Sequence, residues 1–151
     1  MRLMLLGAIG SGKTTFRQRL SNVDAAYAKT QTVYLADGVL DTPGEYLEHG
    51  RFNRALLLTS YDADLVLMFQ SATASETKIP PGFATFFTKP VLGIISKIDI
   101  ASPEEIQRAR DFLALACACE VAEISSLTGE GFAGLLPRLD RGDPGTAGLT
   151  G

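Results

Sequence analysis

Apolar residues gather in four runs, at positions 3–6, 65–69, 91–95 and 121–124, each largely continuous rather than alternating with polar residues. Strands covered on both faces have this pattern, and it predicts a parallel sheet. Helical spacing falls between the runs, near 13–21, 52–61 and 103–117, giving the β-α-β alternation of a doubly wound α/β fold. The third helix is the best signalled. Ser102 stands as its cap with Glu105 three residues on, Pro103 suits the first helical position, and Ile106, Ala109, Leu113, Ala116 and Cys117 share a face. A weaker helical stretch at 131–140 carries Pro137 near its end.

Two places depart from a generous α/β layout. Residues 32–36, Asp37-Gly38 and Val39-Leu40 read as an unusually small hairpin, preceded by a polar stretch at 22–31 expected to be mobile. Between Ser71 and Lys89, where a crossover helix would ordinarily sit, Ile79-Pro80-Pro81-Gly82 excludes an early helix and leaves one or two turns at most. Phe83, Phe86 and Phe87 in that reduced crossover would be exposed as a partner surface or would cover the sheet. The expected organisation is one domain over 1–140 and a Gly- and Thr-rich disordered tail at 141–151.

Composition narrows the class further. A chain of 151 residues with 46% hydrophobic and 21% charged residues suits one globular domain with a real core, and no segment approaches the length of a membrane span. Because Met1 and Arg2 lead straight into the first apolar run, the expectation is a cytoplasmic chain without a cleavable leader. A net charge of −3 without a basic run gives no case for nucleic acid or a membrane surface as partner. Cys117 and Cys119 are too few for a structural zinc site and read as reduced packing residues.

The chemistry starts at Gly7-Ala8-Ile9-Gly10-Ser11-Gly12-Lys13-Thr14, which fills every fixed position of the phosphate-binding pattern G-x-x-x-x-G-K-[ST] between a strand and a helix. Gly7, Gly10 and Gly12 allow a backbone turn with inward amides, and the helix that begins with Lys13, Thr14 and Thr15 adds its N-terminal partial charge. Lys13 would reach the β- and γ-phosphates, and the Thr14 hydroxyl would ligate Mg²⁺. Further along, Asp41-Thr42-Pro43-Gly44 follows a strand, where Asp41 would hold Mg²⁺ through water and the Gly44 amide would meet a γ-phosphate. Ser96-Lys97-Ile98-Asp99 ends another strand. A carboxylate at Asp99 would accept the N1–H and N2–H₂ protons of guanine while the Lys97 stem lies along the base. After the last strand come Ser125, Ser126 and Leu127, with the last two offering amides to the guanine O6. Taken singly, D-T-P-G is also an ordinary turn and S-K-I-D an ordinary strand end; their order after a phosphate loop argues for a site.

Over residues 1–140 this series resembles the translation-factor class of small P-loop GTPases. More narrowly, Lys29-Thr30-Gln31, Asp41-Thr42-Pro43-Gly44-Glu45-Tyr46, His49 and Ser96-Lys97-Ile98-Asp99 resemble EutP/PduV-type proteins of ethanolamine and propanediol utilisation. The resemblance implies a Ras-like six-stranded, mostly parallel sheet with a shortened hairpin and a reduced third helix. It also implies binding of GTP or GDP with Mg²⁺, and a shell or cargo protein of a bacterial microcompartment as partner. It makes Thr30, with Thr32 as the alternative, the switch threonine that closes on Mg²⁺, and gives Lys13, Thr30 and Gly44 the work at the γ-phosphate.

Departures from the pattern carry expectations of their own. Ser96 replaces Asn or Thr with a shorter hydroxyl, expected to tie base and phosphate loop less well. Ile9 would obstruct an arginine finger, Gly10 removes a potassium-ligating Asn, and Glu45 stands where Ras-like proteins place a water-orienting Gln. Tyr27 would cover the base edge or simply pack; His49, Arg51 and Arg54 read as solvated groups. Two other classes remain: phosphotransfer to a small acid, and a docking module that uses nucleotide only for stability.

Overall fold

The computed structural model describes residues 2–27 and 38–141. Within them, β1 (Leu3–Gly7) leads through a loop into α1 (Lys13–Tyr27), followed by β2 (Val39–Asp41), α2 (Glu45–Glu48), α3 (Asn53–Ser60) and β3 (Leu65–Ser71). Then come β4 (Val91–Ser96), α4 (Pro103–Leu115), β5 (Glu120–Glu123) and α5 (Phe132–Arg141). The five described strands lie in the order β2-β1-β3-β4-β5, and every pairing is parallel. The first hairpin strand, expected at 32–36, lies outside the described residues, as do residues 142–151 of the expected tail.

The central strands β1, β3 and β4 are covered on both sides, which is why they read as continuous apolar runs, whereas the edge strands β2 and β5 are only partly buried. Leu3 and Leu5 of β1 pack with Leu65, Leu67 and Phe69 of β3 against Phe16 and Leu20 of α1 and Leu135 and Leu139 of α5. Met4 and Leu6 point the other way, into a second core with Leu56 of α3 and Ala109 and Leu113 of α4. Period-2 alternation sends successive residues of one strand into two different cores. At about 1.5–3 kcal/mol for each large apolar side chain buried, this double coverage holds the strands in register. Phe16 seats α1 by an edge-on contact with Phe69, ring centres 5.1 Å apart, and a tilted one with Phe132 at 5.6 Å.

Local signals are borne out at α4. The Glu105 amide donates to Ser102 Oγ at 3.1 Å, the Ser102 amide donates to Glu105 Oε1 at 2.9 Å, and Pro103 opens the helix. Two expectations are corrected and one open alternative is decided. α1 continues to Tyr27, so the polar residues from Asn22 begin as helix rather than as loop. Cys117 does not join the buried face of α4: the helix stops at Leu115, Cys117 turns with φ 66°, and both cysteines are free and exposed. The crossover does hold a single 3-10 turn at Phe83–Phe86, but Phe83 and Phe87 are buried and only Phe86 reaches solvent. The amides of Gly82 and Ala84 donate to the carbonyls of Leu115 and Ala116 at 2.9 and 2.8 Å, folding the crossover onto the end of α4 as cover for the sheet. No helix among the described residues is long and apolar enough to cross a membrane.

Candidate nucleotide-binding site

From β1 the chain moves outward to β2 and then returns to β3 on the opposite side, so the strand order reverses at β1. A crevice opens beyond the carboxyl ends of strands at such a reversal, and the loop from Ala8 to Gly12 occupies it. The Ser11 amide donates to Ala8 O at 3.1 Å, and Gly10 and Gly12 take φ of 80° and 98°, which side chains disfavour. At Gly7 the constraint is space: a Cβ would stand 2.5 Å from Ser11 Oγ and 2.8 Å from Phe69 Cβ.

Lys13 folds back over this turn. It is 8% exposed, and its Nζ donates to Gly7 O at 2.7 Å and to Ala8 O at 3.3 Å. Burial pushes its pKa below the ordinary 10.5, while the nearby carboxylates of Asp41 and Glu45 oppose that shift. Asp41 comes to the loop because β2 runs beside β1, pairing Asp41 with Leu5. Thr42 locks the next step, its Oγ1 donating to Leu5 O at 2.8 Å. Gly44 then passes backbone to backbone against the loop; a Cβ there would lie 2.5 Å from the Ile9 amide nitrogen. Ile9 itself is 66% exposed. Glu45, exposed at the start of α2, lies close enough to Lys13 to favour its ammonium form.

The base side is built by β4, β5 and α1. Ser96 Oγ donates to Ser11 O at 2.6 Å, so the shorter hydroxyl does reach the phosphate loop from β4. The carbonyl comes within reach because Gly12 has no Cβ; one there would stand 3.3 Å from both Ser96 Cβ and Oγ. Lys97, at φ 64°, donates through Nζ to Gly10 O at 2.7 Å. These residues border a pocket of about 260 Å³ lined by Gly12, Thr15, Ser96, Lys97, Asp99, Ile100, Ser126 and Leu127.

The pocket gathers sequence-expected residues from three separate segments and adds Ile100, which no motif singles out. Ser125 does not line it. Fully buried, it builds the loop, with Oγ accepting from the Thr128 amide at 3.1 Å and its carbonyl from Gly129 at 2.8 Å. Arg19 was also missed: from α1 its Nε donates to Ser126 O and its Nη2 to Leu127 O, both at 2.9 Å. The contact spans more than a hundred residues of sequence, and a lone arginine on a polar helix face gives no signal of it. Thr30 and Thr32 lie outside the described residues. His49, Arg51 and Arg54 are exposed, and Arg51 stacks over the Phe52 ring at 4.8 Å.

The arrangement fits a magnesium–nucleotide complex. The nearby ligand candidates are hard oxygens, Thr14 and Asp41, and no cluster of three or more His, Cys, Asp or Glu suited to holding a metal alone occurs among the described residues. Magnesium held by few protein oxygens takes its other ligands from phosphates and water. Buried Lys13, crowded glycine turns and a pocket lined by Asp99 suit the phosphate and base ends of one ligand.

Comparison with known proteins agrees with this layout. A family model, PduV-EutP, described as ethanolamine utilisation - propanediol utilisation, matches residues 1–141. Propanediol utilization protein PduV of Citrobacter freundii is 35% identical over 130 residues, 86% of this chain and 87% of that protein. A probable acetate kinase EutP of Salmonella typhimurium is 38% identical over 101 residues, 66% of this chain and 64% of the relative, so the chain spans less than two thirds of that protein. Among solved structures, elongation factor SelB of Methanococcus maripaludis with the GTP analogue GppNHp superposes with a TM-score of 0.66 at 22% identity, over 94% of this chain and 33% of that one. That likeness carries the fold: an α/β domain of the P-loop GTPase type. With this fold, the phosphate loop at its strand reversal and the match over residues 1–141, the chain belongs to the PduV-EutP family.

Proposed function

We propose that the chain is a Mg²⁺-dependent guanine-nucleotide switch that hydrolyses GTP slowly and works in the cytoplasm beside a microcompartment of ethanolamine or propanediol utilisation. The observation carrying this reading is the pocket that joins Gly12 and Thr15 to Lys97, Asp99, Ser126 and Leu127. A phosphate cradle alone serves many nucleotides; a carboxylate lining the same pocket suits a base with two adjacent donors.

In this reading Lys13 leaves the carbonyls of Gly7 and Ala8 and donates to the β- and γ-phosphates, with Ser11 and Gly12 amides beside it. Thr14, Thr30 and Asp41 hold the ion directly or through water. Bound Mg²⁺ supplies charge neutralisation between the phosphates. Asp99 accepts from guanine, Lys97 lies along the base, and Gly44 donates to the γ-phosphate after moving off Ile9. Glu45, an anion, offers no donor to the developing charge, so hydrolysis rests on positioning and runs on the order of 10⁻⁴–10⁻² s⁻¹. The partner in this reading is a shell or cargo protein of that microcompartment; the family's description names the two utilisation pathways and goes no further. Measuring GTP against ATP affinity, with and without Mg²⁺, tests the reading: equal affinity for the two nucleotides removes it.

A second reading has one specific support, the relative named a probable acetate kinase. There a carboxylate oxygen attacks the γ-phosphorus, the bond to the β–γ bridging oxygen breaks, and an acyl phosphate and nucleoside diphosphate leave. Trapping acyl phosphate as hydroxamate during incubation with acetate or propionate separates the two; product forming faster than free phosphate favours transfer.

A further inference from the structure

Arg19 belongs to the helix that follows the phosphate loop, yet its guanidinium reaches the loop after β5. Nε and Nη2 donate to two successive carbonyls, Ser126 O and Leu127 O, each at 2.9 Å. Its fork thus grips the main chain rather than any side chain, and main-chain direction is what it controls. In a trans peptide the C=O and the next N–H point opposite ways. Holding Ser126 O toward α1 therefore turns the Leu127 N–H away from α1.

Ser126 and Leu127 both line the pocket. Among the described residues neither of their amides donates to a protein acceptor, whereas the next two amides do: Thr128 donates to Ser125 Oγ and Gly129 to Ser125 O. The loop is built so that two amides are left for the pocket while their neighbours close the turn. Gly129 completes the fit. At φ 87°, a Cβ there would stand 3.1 Å from Arg19 Nη2, so the loop wraps the guanidinium closely. Arg19 follows Lys13 by six residues, about 9 Å along the helix axis, so one rigid helix carries both the phosphate lysine and the base-side clamp.

We propose that Arg19 is a positioning residue for base specificity, aiming the Leu127 amide at the 6-oxo group of guanine and joining that contact mechanically to the phosphate helix. The proposal rests on the guanine reading above, and its test separates the two.

The probes are GDP, 6-thio-GDP, IDP and ADP, titrated by calorimetry into the parent chain, Arg19→Met and Arg19→Lys. Sulfur at position 6 is a poor acceptor but leaves the N1 and N2 donors for Asp99. The parent prefers GDP to 6-thio-GDP by about threefold to tenfold, the worth of one neutral hydrogen bond. In Arg19→Met that ratio falls toward one, while the GDP to IDP ratio, which reports the 2-amino group, stays at the parent value. Arg19→Lys keeps the charge and stem but loses the fork, and behaves as the Met variant does; it carries the test if Arg19→Met does not fold. An even loss of affinity for all guanine probes, with the GDP to 6-thio-GDP ratio unchanged, makes Arg19 a structural residue only and overturns the proposal. So does a parent chain that binds GDP and 6-thio-GDP alike. A parent that binds ADP as well as GDP defeats the guanine reading itself.

Discussion

Ser96 offers the sharpest test of how the site is held together. Its hydroxyl is the buried link from β4 to the phosphate loop, donating to Ser11 O at 2.6 Å, with Ser96 3% and Ser11 4% exposed. Ser96→Ala removes the donor and leaves the carbonyl in a place water does not reach. A neutral hydrogen bond is worth about 0.5–1.5 kcal/mol net, and a stranded buried acceptor costs about 1–3 kcal/mol. The alanine variant is therefore expected to lose about 1–2 kcal/mol of unfolding free energy, some 2–4 °C in midpoint per kcal/mol for a domain of this size. Nucleotide affinity falls too, because the loop that binds phosphate is no longer fixed to the strand bearing Lys97 and Asp99. The loss is about threefold to tenfold and equal for GDP and GTP, since neither Ser96 nor Ser11 O belongs to the γ-phosphate. Urea unfolding followed by circular dichroism, with calorimetry for both nucleotides, measures the two effects. An unchanged urea midpoint together with parental affinities would refute the reasoning; a loss confined to GTP would show that Ser96 acts on the γ-phosphate side instead.

Four other outcomes follow. Lys13→Met removes most triphosphate affinity, a charge-assisted contact worth about 1.5–3 kcal/mol, and calorimetry showing parental binding would end the phosphate-loop assignment. The same pair of proteins carries a pH effect. The folded-state pKa of Lys13 lies below 10.5, so between the two values the unfolded chain holds more protons and folding stability rises with pH, while below the folded value the penalty is fully present. The stability of the parent relative to Lys13→Met therefore climbs as pH approaches 10.5 in nucleotide-free protein, and a flat difference counts against a buried ammonium. Asp99→Asn shifts preference from GTP toward XTP, read by competition binding, because an amide donor suits the 2-oxo group of xanthine. Glu45→Ala changes single-turnover GTP hydrolysis by less than about threefold, ~0.6 kcal/mol, whereas a fall beyond about tenfold at unchanged affinity would make Glu45 the residue that orients or deprotonates water.

The sequence by itself determined the parallel sheet, the phosphate loop and the capping of α4, because each depends on residues within a few positions of one another. Continuous apolar runs mean strands covered twice, and Leu3 to Leu6 divide between two cores as that pattern requires. Glycines at Gly10 and Gly12 mark the positive φ that the loop adopts. Relations between distant segments were decided only by the tertiary structure. Side-chain length alone does not say whether Ser96 reaches the phosphate loop; reach depends on how near the partner is brought, and glycine at position 12 brings Ser11 O within 2.6 Å. The three phenylalanines of the crossover looked alike in sequence; docking of Gly82 and Ala84 on the end of α4 buried Phe83 and Phe87 and left Phe86 at the surface. Cys117 sits at helical spacing yet lies past the end of α4, where a left-handed turn carries it outward. Arg19 is the clearest case, since its partners are backbone carbonyls, which every residue possesses, and only the packing of α1 beside the loop after β5 selects Ser126 and Leu127 from among them.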